Sequence, residues 1–331
     1  MQVKRWMRIG AALLAATVLP AMTTAAATAH FQKSFPAQGV SAVRVDVSFH
    51  DVEVVVKQTP NVEITVDLEA RGSKSKAEKL LAEYTPKFKV EDGRIQVRSV
   101  RKHGSWWFGR RSIRGKVTVA MPPGLDVDLD TSAGDCSVEG DLGKGSIMAD
   151  TSSGDFKLSG AAQRISADTS SGDVSVTGRA GKIVADTSSG DVELRLDQPA
   201  DDISVDTSSG DVSLAGGAAR FAADTSSGDV QASGLTGSAK ADTSSGDVTL
   251  SWSEVRAGTE VKIGTTSGEV RLELPKDTLV EGRASTTSGT IRSDFGGRTE
   301  KRGHLLILEA ADAEASLTVA TTSGDVTLRK R

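Results

Sequence analysis

Residues 150–191 read DTSSGDFKLSGAAQRISADTSSGDVSVTGRAGKIVADTSSGD, one hexapeptide written three times at an interval of 18. Self-similarity at a fixed period takes precedence over any local propensity, because it identifies a chain built from stacked units. Working outward, the same motif recurs from Asp206, Asp224 and Asp242, and DTSAGD begins at Asp130. Three worn copies follow, GTTSGE from Gly264, STTSGT from Ser285 and ATTSGD from Ala320. Successive motif glycines are spaced 20, 18, 18, 20, 18, 18, 22, 21 and 35 residues apart. Apolar residues alternate with polar ones on both sides of each motif, as with Ile165 and Ala167 before it and Val174 and Val176 after it. Period two means strand. One unit cannot bury its apolar stripe alone, so the pattern predicts an all-β solenoid of about 18–20 residues per coil, rising about 4.8 Å per coil.

Stacking puts Asp150, Asp168, Asp186, Asp206, Asp224 and Asp242 in one row, and a second row begins at Asp155 and Asp173. Like charges about 5 Å apart repel, so the turn has to compensate. An aspartate opening such a turn can accept backbone N–H groups two residues on. The motif glycines Gly154, Gly172, Gly190, Gly210, Gly228 and Gly246 complete this structural ladder. A row of calcium sites is the functional alternative, since hard cations take carboxylate oxygens. One glycine per coil gives a low ligand density for that, and no cofactor or metal is expected. The motif threonines share parity with Ile165 and Ala167 and are expected to face inward.

An older coil lies upstream, where Asp46 and Asp51 repeat the aspartate spacing between Val43-Val45 and Val52-Val54-Val56. A short helix is expected over 74–84, with Ala77, Leu80, Leu81 and Tyr84 at helical spacing. The expected organisation is a leader over 1–29, a β-rich N-terminal region over 30–124 with this helix, and the repeat region over 125–331. The widened last interval, with the apolar run His304–Leu308, reads as a C-terminal cap. Residues 101–114, RKHGSWWFGRRSIR, read as a long loop between strands. Consecutive residues on extended backbone cannot all face one core, so some of Trp106, Trp107 and Phe108 are exposed. With Arg101, Lys102, Arg110 and Arg111 they suit an anionic lipid or an acidic glycan, which makes this the candidate binding loop. Folding back as a hydrophobic lid is the structural alternative.

Lys4, Arg5 and Arg8, the apolar run Ile9–Leu19 and Ala27-Thr28-Ala29 have the form of a secretory leader cleaved after Ala29. The run is shorter than the roughly 20 residues a membrane helix needs. A periplasmic or secreted protein is the expectation. Cys136 is the only cysteine, which excludes an internal disulfide. The net charge of −4 gives no general footprint for nucleic acid. Histidine occurs only at 30, 50, 103 and 304, without a paired spacing, and the abundant Ser and Asp repeat as architecture does, so no catalytic site is expected.

Strands carrying repeated A-D-T-S-S-G-D-V units behind a leader resemble the bacterial "putative adhesin" β-strand repeat family over roughly Val43–Leu328. The resemblance implies an envelope-associated or secreted β-solenoid and supplies no catalytic residues. The leading expectation is a non-enzymatic binding or scaffolding protein of the cell envelope. A self-assembling protein like the bactofilins and a glycan-active enzyme, the latter by fold analogy alone, are the alternatives.

Overall fold

The structure is a computed structural model that describes residues 26–100 and 113–331. The N-terminal part contains β1 (Ala26–Pro36), β2 (Ala42–Val47), β3 (His50–Val56), β4 (Asn61–Arg71), α1 (Lys74–Glu83), β5 (Lys87–Glu91), β6 (Arg94–Ser99) and β7 (Ile113–Met121). The regular array follows with β8 (Asp126–Thr131), β9 (Cys136–Asp141), β10 (Ser146–Thr151), β11 (Phe156–Thr169), β12 (Val174–Thr187), β13 (Val192–Leu196) and β14 (Asp202–Thr207). It continues through β15 (Val212–Ala215), β16 (Arg220–Thr225), β17 (Val230–Leu235), β18 (Ser238–Thr243), β19 (Val248–Trp252), β20 (Thr259–Thr265) and β21 (Val270–Leu274). The C-terminal part holds β22 (Val280–Ser285), β23 (Ile291–Ser293), β24 (Arg298–Glu300), β25 (Leu305–Leu308), β26 (Ala315–Thr321) and β27 (Val326–Lys330).

Each coil contributes one strand before the hexapeptide turn and one after it, and the two sets stack into two faces. The first face runs β5-β6-β2-β8-β10-β11-β12-β14-β16-β18-β20-β26-β22-β25-β24. The second runs β1-β4-β7-β3-β9-β11-β12-β13-β15-β17-β19-β21-β27-β23. Coil-to-coil pairing is parallel, and among the described residues antiparallel pairs occur only at the two ends. β11 and β12 run unbroken round the return corner and belong to both faces. Gly178 sits at that corner with φ +124°, where a Cβ would also lie 2.0 Å from the Gly160 carbonyl.

Between the faces lies one core of side chains stacked like on like. Val174, Val192, Val212, Val230 and Val248 are all buried in one ladder, as their parity requires, and Cys136 and Phe156 continue it. Burial pushes the Cys136 thiol up to about 12, which makes it a small core group rather than a reactive one. In the coil before the interval widens, Trp252 is fully buried, and its Nε1–H donates to the Gly237 carbonyl at 2.7 Å. The helix forms where its spacing predicts, with Ala77 and Leu80 buried.

Sequence order and stacking order part company at both ends. The upstream coil of β2 and β3 lies second from the end, because β6 and β7 dock outside it. The last coil in the chain, β26 and β27, lies between β20–β21 and β22–β23. The run expected as a cap forms β25, antiparallel to β22, and extends the first face beyond the last parallel coil. Ala26–Ala29, placed in the leader by the sequence, pair with Leu68–Arg71 of β4.

Candidate functional site

The hexapeptide is a bracket between coils. In the coil of Thr187, the Gly190 N–H donates to the Thr187 hydroxyl oxygen at 3.0 Å, and that hydroxyl donates to the Gly172 carbonyl of the preceding coil at 3.3 Å. The same pair of bonds is formed by Thr151, Thr169, Thr207, Thr225 and Thr243, all buried as their parity predicts. Glycine is required because a Cβ on Gly190 would meet the Gly172 carbonyl oxygen at 1.9 Å. The contact recurs at Gly154, Gly172, Gly210, Gly228 and Gly246.

The turn chemistry corrects the sequence expectation. The acceptor that closes each turn is the threonine hydroxyl, not the aspartate that opens it. The second aspartate reaches instead to the next coil, as when Asp173 N–H donates to Asp155 Oδ1 at 2.9 Å and Asp191 N–H to Asp173 Oδ1 at 2.9 Å. Asp211, Asp229 and Asp247 extend this file to Glu269. A backbone N–H partly compensates each of these carboxylates. At the C-terminal end, hydrogen bonds from Thr290 and then Arg292 hold Asp325 below the usual aspartate range.

The opening aspartates form a true like-charge file, Asp46-Asp130-Asp150-Asp168-Asp186-Asp206-Asp224-Asp242, in direct register on the first face. Burial first, then the charges of Asp206 and Asp168, raise the Asp186 pKa above its ordinary value. Asp130 is raised in the same way, by burial and then by Asp46 and Asp150. Cations meet the file near its ends, with Arg98 3.0 Å from Asp46, Arg44 3.7 Å from Asp130 and Lys240 2.8 Å from Asp242. Residues 126–260 carry 24 Asp and Glu against 9 Lys and Arg, whereas residues 1–125 carry 10 against 20. The small overall charge therefore conceals an acidic rod with a basic N-terminal part. Among the described residues no group of three or more His, Cys, Asp or Glu side chains is arranged to hold a metal ion.

Two features escaped the sequence reading. A cleft of about 420 Å³ lies outside the N-terminal sheet and is lined by His30, Asp51, Asp67, Glu69, Arg114 and Lys116; His30 Nδ1 is 2.6 Å from Asp67, and Lys116 is 2.7 Å from Glu53. Four strands contribute to it, so no linear pattern announces it. His50 occupies the slot that later coils give to glycine, with its ring over Gly115. The ring is fully buried and stacks on Phe49, whose ring meets Tyr84 edge-on. The Ser99 hydroxyl donates to the Tyr84 carbonyl at 2.7 Å and lies 3.2 Å from His50 Nε2, which makes Nε2 the hydrogen-bearing nitrogen. Burial lowers the His50 pKa to about 4.

Of the expected binding loop, Arg101, Lys102, Trp106, Trp107, Phe108, Arg110 and Arg111 lie outside the described residues. Its two roots, Ser99 and Ile113, belong to the outermost parallel coil. Among the described residues no helix is long and apolar enough to cross a membrane.

These features define a two-faced parallel β-solenoid, clamped coil to coil by threonine, glycine and aspartate, with each terminal coil tucked one place inside the end. The chain belongs to the Toastrack DUF4097 family, whose profile matches residues 43–194 and again 162–329. Its structure is similar to that of a "putative adhesin" from Bacteroides fragilis NCTC 9343, with 13% identity, a TM-score of 0.42, and coverage of 74% of this chain and 96% of that one. It is also similar to a "Putative lipid binding protein" from Parabacteroides distasonis ATCC 8503, with 13% identity, a TM-score of 0.40, and coverage of 91% and 96%. No curated protein matches the chain.

Proposed function

We propose that this protein is a non-enzymatic, exported binding or scaffolding protein of the bacterial cell envelope, working in the periplasm or outside the cell. One observation carries the reading. The threonine and the second aspartate of the regular coils, which could otherwise supply a nucleophile and a base, are engaged in holding coils together: Thr187 bonds two glycines and Asp173 accepts from Asp191. The rod is then a scaffold, and recognition falls to what interrupts the repeat. The basic, aromatic segment 101–112 is such an interruption, rooted at Ser99 and Ile113 on the outermost coil. Its composition suits an anionic lipid or an acidic envelope glycan. The leader-like residues 1–29 support export.

Co-sedimentation of the purified protein with phosphatidylglycerol vesicles and with peptidoglycan tests this reading, alongside a Trp106→Ala, Trp107→Ala double variant. The expected result is binding to one of the two, weakened at least tenfold in the variant at unchanged melting temperature. Absence of binding to both, or release of glycan fragments from peptidoglycan, would overturn it.

A further inference from the structure

Among the described residues the stack has four sheet edges, and they are not alike. At the C-terminal end the first face finishes in β24 and the second in β23, each three residues long. At the N-terminal end the first face finishes in β5, five residues whose Lys87, Lys89 and Glu91 are exposed. Short or charged edges are the devices by which sheets avoid pairing with other chains. β1, which finishes the second face, has eleven residues, with Lys33 and the titratable His30 its only ionisable side chains, and among the described residues it pairs only with β4.

Among the described residues no strand occupies the other side of β1. Ala37 N–H donates to the Pro60 carbonyl, and antiparallel alternation then aims the N–H and C=O groups of His30, Gln32 and Ser34 away from β4. Toward the core, Phe31 and Phe35 are only partly buried; Phe35 packs 6.5 Å from Phe88, and Val90 beside it is 49% exposed.

We propose that β1 pairs antiparallel with β1 of a second copy, closing a head-to-head dimer about a two-fold axis. A second copy is the occupant because the edge is self-complementary. In a pairing centred on Gln32, His30 falls opposite Ser34 and Phe31 opposite Lys33, so no like charges face each other and an ammonium meets a ring. Residues His30–Pro36 suffice for this register, so it survives removal of the chain through Ala29. The three-residue edges at the other end cannot match it, which leaves head-to-tail growth without an acceptor and closes the assembly at two copies. The inference goes beyond the binding role and does not depend on which ligand is bound.

Sedimentation velocity over a concentration series, with the full processed protein, tests the proposal together with a Gln32→Pro variant. That substitution removes one outward N–H without touching the ladder to β4. The expected result is twice the chain mass for the wild type, and a dissociation constant at least tenfold weaker for the variant at an unchanged β-type circular dichroism spectrum. A wild type that stays monomeric at several hundred micromolar, that grows beyond two chains, or whose Gln32→Pro variant dimerises equally well would overturn it. Amide exchange in the wild type gives a second reading that needs no variant: Gln32 and Ser34 become protected as concentration rises, and concentration-independent exchange there contradicts the pairing.

Discussion

From Asp126 to Leu274 the coils stack in the order in which they occur in the chain, whereas at both ends they do not. Within the array the interfaces are chemically alike, and the short links between coils enforce the order. At the ends the links are longer and carry strands of their own, so a coil can dock out of turn. At each end the terminal parallel coil of the chain sits one place inside the stack, with a neighbour on both sides, although at the N-terminal end β1 precedes that coil and forms the outer edge of the second face. A coil at a chain terminus and at a stack terminus would have a free end and a free face, the conditions under which structure frays. The ends differ in how they do this. At the C-terminal end the bracket is kept, with Thr321 donating to Gly268 and Thr286 to Gly324. At the N-terminal end Val47 and His50 replace threonine and glycine, and the contacts of His50 with Ser99 and Phe49 take over.

The largest effect that would break this comparison is removal of residues 315–331. Because β26 and β27 lie between two other coils, their loss leaves β22 and β23 without a parallel neighbour, and β25 attached only to β22 and β24. Limited proteolysis should then release 275–314 as well, whereas a stack in chain order would lose only its last coil. Next is Val192→Asp, which places an unpaired charge between Val174 and Val212 and should cost several kcal/mol. Amide exchange should show the array splitting there while both ends stay protected. An unchanged melting temperature would sink the stacking account.

Acid separates the two regions further. His50 stays neutral in the folded state down to about pH 4 but takes up a proton near 6.5 when unfolded. The unfolded state therefore binds more protons in that window, and the N-terminal end loses about 2 kcal/mol by pH 5. Asp186 and Asp130 have raised values, so the folded state binds more protons than the unfolded one, and their contribution grows as pH falls from neutrality toward the ordinary aspartate range. Between pH 7 and pH 5 the N-terminal end should loosen while the array does not, and a His50→Phe variant should lose the difference. Equal response of both regions would contradict this. The smallest effect is expected from chelation: EDTA should leave the melting temperature where it was, because backbone N–H groups already occupy the second aspartate file; a rise of many degrees on adding calcium would reverse that view.

Much of the fold was legible because alternation at period two is local. The valine ladder from Val174 to Val248, the inward threonines and the upstream coil at Val43 all follow from parity. Stacking order was not legible, since Gly264, Ser285 and Ala320 open nearly equivalent slots, and the wide interval before Ala320 marks a region without ordering it. Nor was the work of the second aspartates, because from Asp155 to Asp247 each bonds a residue 18 to 22 positions away in the next coil. Turn chemistry read within one coil assigns the acceptor to Asp186, where the structure uses Thr187. The charged cleft at His30 comes from strands far apart in the chain and has no linear signature.

The most direct test of the bracket is the melting temperature of Gly190→Ala. The added methyl carbon would lie 1.9 Å from the Gly172 carbonyl oxygen, which forces two coils apart and breaks both bonds of Thr187. The account predicts a loss of about 3 kcal/mol, read as a fall of roughly 6 °C or more, with exchange protection lost first at coils 168–191. A variant that melts within a degree of the wild type, with those coils still protected, would contradict it.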